Sequence, residues 1–161
     1  MAAAGNSIWT RNNSNFLILR MGVAVVDDTL YWGDGNGLYH ASAKSDGTDD
    51  WTANVGNNSY GSPKKATRTG DHLFAHGDNL HKLNVSDGSS DWSNGNGNDS
   101  TGGVAVSSNY VYSPDSSDSL RKYARSDGTI EWTFNPGTGG RCTPTLENGY
   151  VYGSNLGDQV Y

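Results

Sequence analysis

The stretch SNYVYSPDSSDSLRKYARSDGTIEW, residues 108–132, reads as strand, loop, strand, turn and strand. Tyr110 and Tyr112 alternate with Val111, the period of a strand with two different faces. SLRKYAR is the next strand, and TIEWTF, running on to Phe134, the last. Between these two, Asp127-Gly128 supplies the positive φ that a hairpin turn requires. GGVAVSSN, just upstream, reads as one strand more. The unit is therefore four short antiparallel strands.

It recurs. DDTLYWGDGNGLYHASAKSDGTDDW (27–51) carries the same order of features, and SDGSSDW closes another copy. Trp9, Trp51, Trp92 and Trp132 stand 42, 41 and 40 residues apart, each four residues after a glycine: Gly5, Gly47, Gly88 and Gly128. The first copy is degenerate, AAGNSIW. A second register runs through Tyr31, Phe74, Tyr112 and Tyr152. Asn148-Gly149 and Thr69-Gly70-Asp71 punctuate the link between first and second strands. No stretch holds a helical apolar period, so the chain is all-β. Four-stranded units of ~40 residues are the blades of a β-propeller. A blade cannot bury both faces alone, so neighbouring blades must cover them. The recurring Trp, on the outer strand, is expected to lie flat against the next blade with its indole N–H on a backbone carbonyl. Blades are expected at about 17–54, 59–94, 101–135 and 140–161, the last with 5–11, in one domain.

Composition agrees. At 161 residues one domain is expected. Apolar content is only 34%, but five Trp and nine Tyr bury large areas and argue against disorder. Net charge is −6, and basic residues cluster no further than pairs such as Lys64-Lys65, which speaks against nucleic acid. Asp outnumbers Glu 15 to 2, a bias resembling an extracytoplasmic or salt-adapted surface. The start MAAAGNSIW has no apolar signal core. FLILRMGVAVV (16–26) carries Arg20 and is too short to span a bilayer, so no membrane insertion is expected. One cysteine, Cys142, forms no disulfide within the chain and reads as a small buried apolar residue.

The repeat, with its VYxGSxxGxLYAxxxxDGxxxW pattern, resembles that of the PQQ-like, or quinoprotein-alcohol-dehydrogenase-like, β-propellers, which include quinone-dependent alcohol dehydrogenases and BamB-like outer-membrane assembly scaffolds. Gly5/Trp9, Gly47/Trp51, Gly88/Trp92 and Gly128/Trp132 resemble that family's tryptophan-docking motif. The resemblance implies fold more than function, because enzymes, scaffolds and sensors share the repeat. It also implies a periplasmic or secreted setting. The quinone enzymes resemble an eight-bladed ring with an adjacent-cysteine disulfide at the cofactor; this chain has one Cys and half the blades.

GYVYGSNLGDQVY (149–161) begins a blade and carries it only as far as a third strand, ending Val160-Tyr161. The opposite end opens with a lone fourth strand, GNSIWTR (5–11). From Tyr152 to the end and on through residues 1 to 9 is 18 residues, against 20, 18 and 20 in the other copies. A blade closed by Ser7, Ile8 and Trp9 against Val160 and Tyr161 fits that count. In cis, the chain would close a four-bladed ring; in trans, two chains would form an eight-bladed homodimer by strand exchange, the form expected here because PQQ-like blades resemble units of an eight-fold ring.

Chemistry is sparse. His72 and His76 on one strand stand roughly 13 Å apart, too far to share an ion, while His76 and His81 could oppose each other across a hairpin. His40 and His81 occupy matching positions in their blades. Asp34 and Asn36 in GDGNG begin like a calcium loop, yet Ser45 stands where an EF-hand needs its closing acid. Asp27-Asp28 and Asp49-Asp50 read as solvated doublets. There is no nucleophile elbow, Walker A loop or Gly-x-Gly-x-x-Gly. Arg20, Lys64, Lys65 and Arg68 could line a central channel. The expected protein is a non-enzymatic binding or scaffolding propeller without a cofactor, calcium apart, or an isolated or engineered half of a larger one. The alternative is a quinone- or sugar-handling enzyme whose site forms only in the assembled ring; a glycan ligand is a third possibility.

Overall fold

The structure is a computed structural model describing residues 7–10, 23–34, 36–56, 72–94, 102–115, 119–137, 142–155 and 157–161. Within them it is all-β, with four antiparallel sheets and no helix. The first sheet has β1 (Ala24–Val26), β2 (Thr29–Gly33), β3 (Leu38–Ala43) and β4 (Asp49–Asn54) in that order. The second has β5 (His72–His76), β6 (Leu80–Asn84) and β7 (Ser90–Asn94). The third has β8 (Ala105–Val106), β9 (Tyr110–Pro114), β10 (Leu120–Ala124) and β11 (Ile130–Phe134). The fourth holds β12 (Thr145–Glu147) and β13 (Tyr150–Tyr152), extended by a bridge between Ser154 and Val160.

Neighbouring strands are joined by local hairpins, as the alternating pattern requires. Asn148 and Gly149, at φ 51° and 82°, make a two-residue turn in which both residues are left-handed, between Glu147 and Tyr150. The Ser-Asp-Gly turns are wider than a two-residue hairpin. Ala43 pairs with Thr48 across a four-residue loop, as Asn84 does with Ser89 and Ala124 with Thr129. Only the glycine is left-handed there, while Asp46, Asp87 and Asp127 each accept the backbone N–H of the residue two further on at 2.9 Å. Those hydrogen bonds hold the Asp46 and Asp127 carboxyls below the usual carboxylate range, while for Asp87 the Ser89 hydroxyl is the larger cause and the backbone N–H the next.

One further feature repeats. The outer-strand register slips by one residue just before each Trp, leaving Asp50, Asp91 and Glu131 as bulged positions. After the slip, Trp51, Trp92 and Trp132 face Ala41, Lys82 and Lys122.

The core lies between sheets. Tyr31, Tyr39, Ala41, Ala53 and Val55 of the first blade pack on Leu73, Ala75 and Leu83 of the second. The second blade's other face, Phe74 and Leu80, packs on Val104, Val111 and Tyr123 of the third. The third and fourth blades adjoin through β8 and β12, with Gly103 N donating to Thr143 Oγ1 at 2.8 Å. Each strand thus alternates between the blade ahead and the blade behind, which is why Tyr110 and Val111 serve different layers.

Candidate functional site

The repeat marker produces one contact three times. Trp9 Nε1 donates to the Lys44 carbonyl at 3.0 Å, Trp51 Nε1 to Val85 at 2.8 Å, and Trp92 Nε1 to Arg125 at 3.1 Å. Each indole lies over the turn glycine of that same neighbour: Gly47, Gly88 and Gly128. A Cβ on any of these glycines would stand 2.5–2.7 Å from the indole. Within each blade the Trp also meets the second-strand aromatic, Tyr31 with Trp51 at 5.9 Å, Phe74 with Trp92 at 5.9 Å and Tyr112 with Trp132 at 6.0 Å. Gly5 lies outside the described residues, as do Arg20, Lys64, Lys65 and Arg68.

Two segments depart from the repeat. Residues 7–10 form a bend, with Ser7 Oγ 3.2 Å from Thr10 Oγ1, but share one contact with an outer strand: Ser7 Oγ bonds the Trp9 carbonyl at 2.6 Å, as Ser90 Oγ bonds that of Trp92 at 3.2 Å. Among the described residues this segment pairs with no strand, and Ile8 is 67% exposed. The fourth blade lacks an outer strand among the described residues. Gly153 and Tyr161 exchange both backbone hydrogen bonds, at 2.9 and 3.0 Å, so the Val160 N–H and C=O face the open edge. Val160 is 80% exposed, and Tyr150 and Tyr152 are exposed beside it. Tyr161 itself packs against Phe134 and lines an apolar groove with Leu120, Trp132 and Val151.

The histidines are distributed differently from a metal site. Register places His81 opposite Ala75 and His76 opposite Leu80, so the two imidazoles point to opposite faces and do not oppose each other. His76 is sealed against the third blade, its Nε2 2.9 Å from Ser113 Oγ. Burial pushes its pKa down to about 4, with the His81 imidazole adding to the effect. His72 Nε2 and Lys82 Nζ both reach Asp91 Oδ2, at 2.7 and 3.0 Å. Lys82 is the larger cause of the low Asp91 pKa. Among the described residues no group of three His, Cys, Asp or Glu is placed to hold a metal.

Two buried polar clusters were not foreseen. In the first blade, Trp32 stacks on His40 at 4.0 Å and donates to Ser42 Oγ, which donates to Asp49 Oδ1 at 2.6 Å. Asp49 Oδ2 meets His40 Nδ1 at 2.9 Å, with Asp34 at 3.6 Å from the other ring nitrogen. The serine donates to a carboxylate and not to the imidazole, an arrangement different from a serine–histidine nucleophile pair. Asp34 Oδ1 accepts the Asn36 and Leu38 N–H groups, the role of a turn cap. In the third blade Asp115 stands where Asp34 does, capping Ser119 N and pairing with Arg121 at 2.8 Å, the position of His40. The matching six-residue runs TLYWGD and YVYSPD carried the signal for both. Cys142 is half-buried, its Sγ accepting Ser154 N, more open than the enclosed apolar residue expected.

A cleft of about 590 Å³ opens between second and third blades, lined by His72, Lys82, Tyr110, Arg125 and Glu131 among others. Its mixed charges prescribe no reaction.

The family described as outer membrane protein assembly factor BamB matches residues 1–99 and again 76–161. The chain belongs to this family. Among solved structures, this BamB-family chain superposes on BamB from Moraxella catarrhalis with TM-score 0.71 and 16% identity, over 88% of this chain and 48% of that one. It superposes on the computationally designed Ika4 protein with TM-score 0.73 and 12% identity, over 98% and 96% of the two chains. Quinohemoprotein alcohol dehydrogenase ADHIIG from Pseudomonas putida HK5 gives TM-score 0.66 and 14% identity, over 85% and 29%. At these identities the likeness is one of fold. The chain spans about half the length of the Moraxella protein. No curated protein matches the sequence.

Proposed function

We propose that this chain is a non-enzymatic propeller module for binding and scaffolding, which associates with itself by complementing an open blade with a terminal strand. The observation that carries this reading is the pair of matching deficits: a segment at 7–10 that shares the Ser–Trp contact of an outer strand but lies in no sheet, and a fourth sheet whose Val160 edge is bare among the described residues. Unpaired edges invite strand addition, and pairing the two would cover both. The Trp contacts act as docking points that hold successive blades in register. Family membership supports the scaffold role and an extracytoplasmic setting. Recognition belongs to the face loops, carried on a rigid repeat.

Light scattering after size exclusion, across a dilution series, tests self-association. A particle of twice 17.2 kDa, about 34 kDa, is expected; a stable particle of 17.2 kDa at every concentration overturns it.

A further inference from the structure

Each blade with a described outer strand pairs its second-strand aromatic with its own Trp: Tyr31 with Trp51, Phe74 with Trp92, Tyr112 with Trp132. The fourth member of the aromatic series, Tyr152, is 45% exposed and meets only the Tyr150 ring among the described residues. The fourth member of the tryptophan series is Trp9. It has a neighbour ahead, Gly47 and the Lys44 carbonyl of its own chain, but no second-strand aromatic beside it among the described residues. Trp9 and Tyr152 are therefore two halves of one recurring contact.

They are not joined within the chain: Trp9 is seated on its own first blade, yet residues 7–10 form no bridge with 158–161. We propose, resting on the self-association reading above, that Trp9 packs on Tyr152 of a second copy of this chain, and that Thr10 lies opposite Tyr161 of that copy. The register follows from the repeat. Gly153 pairs with Tyr161 as Trp32 pairs with His40, and His40 faces Thr52, the residue after Trp51. Thr10 is the residue after Trp9. Trp9 seated on the first blade of one chain while completing the fourth blade of the other places these two blades side by side. A two-fold axis repeats the junction, so the two chains close one ring of eight blades through two identical contacts. Tyr152 and Val160 occupy the positions of Tyr31 and Tyr39, which are buried where a blade is covered.

Tyr161 has spent both backbone groups on Gly153, so its pair with Thr10 is the non-hydrogen-bonded kind, with Cα atoms ~4.5 Å apart, within disulfide range. In a Cys142→Ser background, chains carrying Thr10→Cys are mixed with chains carrying Tyr161→Cys, and the double variant is oxidised alone. Covalent mixed dimers, with the double variant also cross-linking between chains, are expected. A double variant that cross-links within one chain overturns the second copy as partner. A 34 kDa particle, twice 17.2, that yields no cross-link overturns this register but leaves self-association standing. A 17.2 kDa particle without a cross-link overturns both. Because Tyr161→Cys also removes the Phe134 contact, Tyr152→Ala supplies an independent measure: the dimer dissociation constant should rise at least ~10-fold through the loss of two aromatic pairs. An unchanged constant overturns the Trp9–Tyr152 contact.

Discussion

Trp51 and Gly88 meet across a blade boundary: the indole of one sheet covers the left-handed turn glycine of the next, and its Nε1 binds the Val85 carbonyl three residues earlier. One residue pair thereby ties a hairpin loop, an inter-blade core and a backbone acceptor together. The same relationship holds for Trp92 with Gly128 and for Trp9 with Gly47.

Gly88→Ala should be among the costlier single-methyl changes. A Cβ in a left-handed conformation costs ~1–2 kcal/mol, and at φ 72° it would also stand 2.5 Å from the Trp51 ring. Displacing the indole forfeits a hydrogen bond of ~1 kcal/mol. Gly137→Ala is the control, at φ 86° with nothing within 4 Å of the added carbon. Urea unfolding should show a loss for Gly88→Ala exceeding that for Gly137→Ala by at least ~1 kcal/mol. Equal losses would mean that the indole contact contributes nothing.

Trp92→Phe separates the ring from its N–H. An aromatic ring remains over Gly128, but the Arg125 carbonyl loses its 3.1 Å donor. A destabilisation of ~1 kcal/mol is expected from denaturant midpoints.

Arg121→Met leaves the Asp115 carboxylate fully buried without its 2.8 Å guanidinium partner. Breaking such a pair from one side costs ~3–5 kcal/mol. Adding Asp115→Leu should restore much of the stability, short of the turn bond from Ser119 N. A double variant no more stable than the single one would show that the uncompensated charge is not the source of the loss.

His76 makes stability depend on pH. Its pKa is lowered to about 4 in the folded chain by burial, while in the unfolded chain it is near its ordinary 6.5. The unfolded state therefore binds the proton more readily, so this contribution is complete above pH 6.5 and is lost as pH falls towards about 4. His81, also lowered by burial, acts in the same direction. Unfolding free energies measured across this window should fall more steeply for the wild-type chain than for His76→Gln. Parallel slopes would place the titration elsewhere.

Much of the fold was legible. The Trp and Tyr registers located the sheets because each marker has a fixed place in a strand, and the Asp-Gly pairs located the outer hairpins because only glycine takes their left-handed position without strain. The candidate site was less so. His76 and His81 looked able to face each other, since sequence distance does not say which residue stands opposite which; a pairing of Ala75 with His81 settles that and separates the rings. The Trp32–Ser42–Asp49–His40–Asp34 chain was also hidden, because its members come from three strands and meet only when the hairpins close.

By itself the sequence determined the repeat, the strand periods and the turn chemistry, all of which depend on local spacing along the chain. Tertiary structure alone decided which face each side chain serves, the bulges at Asp50, Asp91 and Glu131, and the burial of Asp115 with Arg121. The physical reason is that these follow from register and from contact between sheets. A slip of one residue turns a side chain to the other face, and whether that face is solvent or core depends on the neighbouring blade.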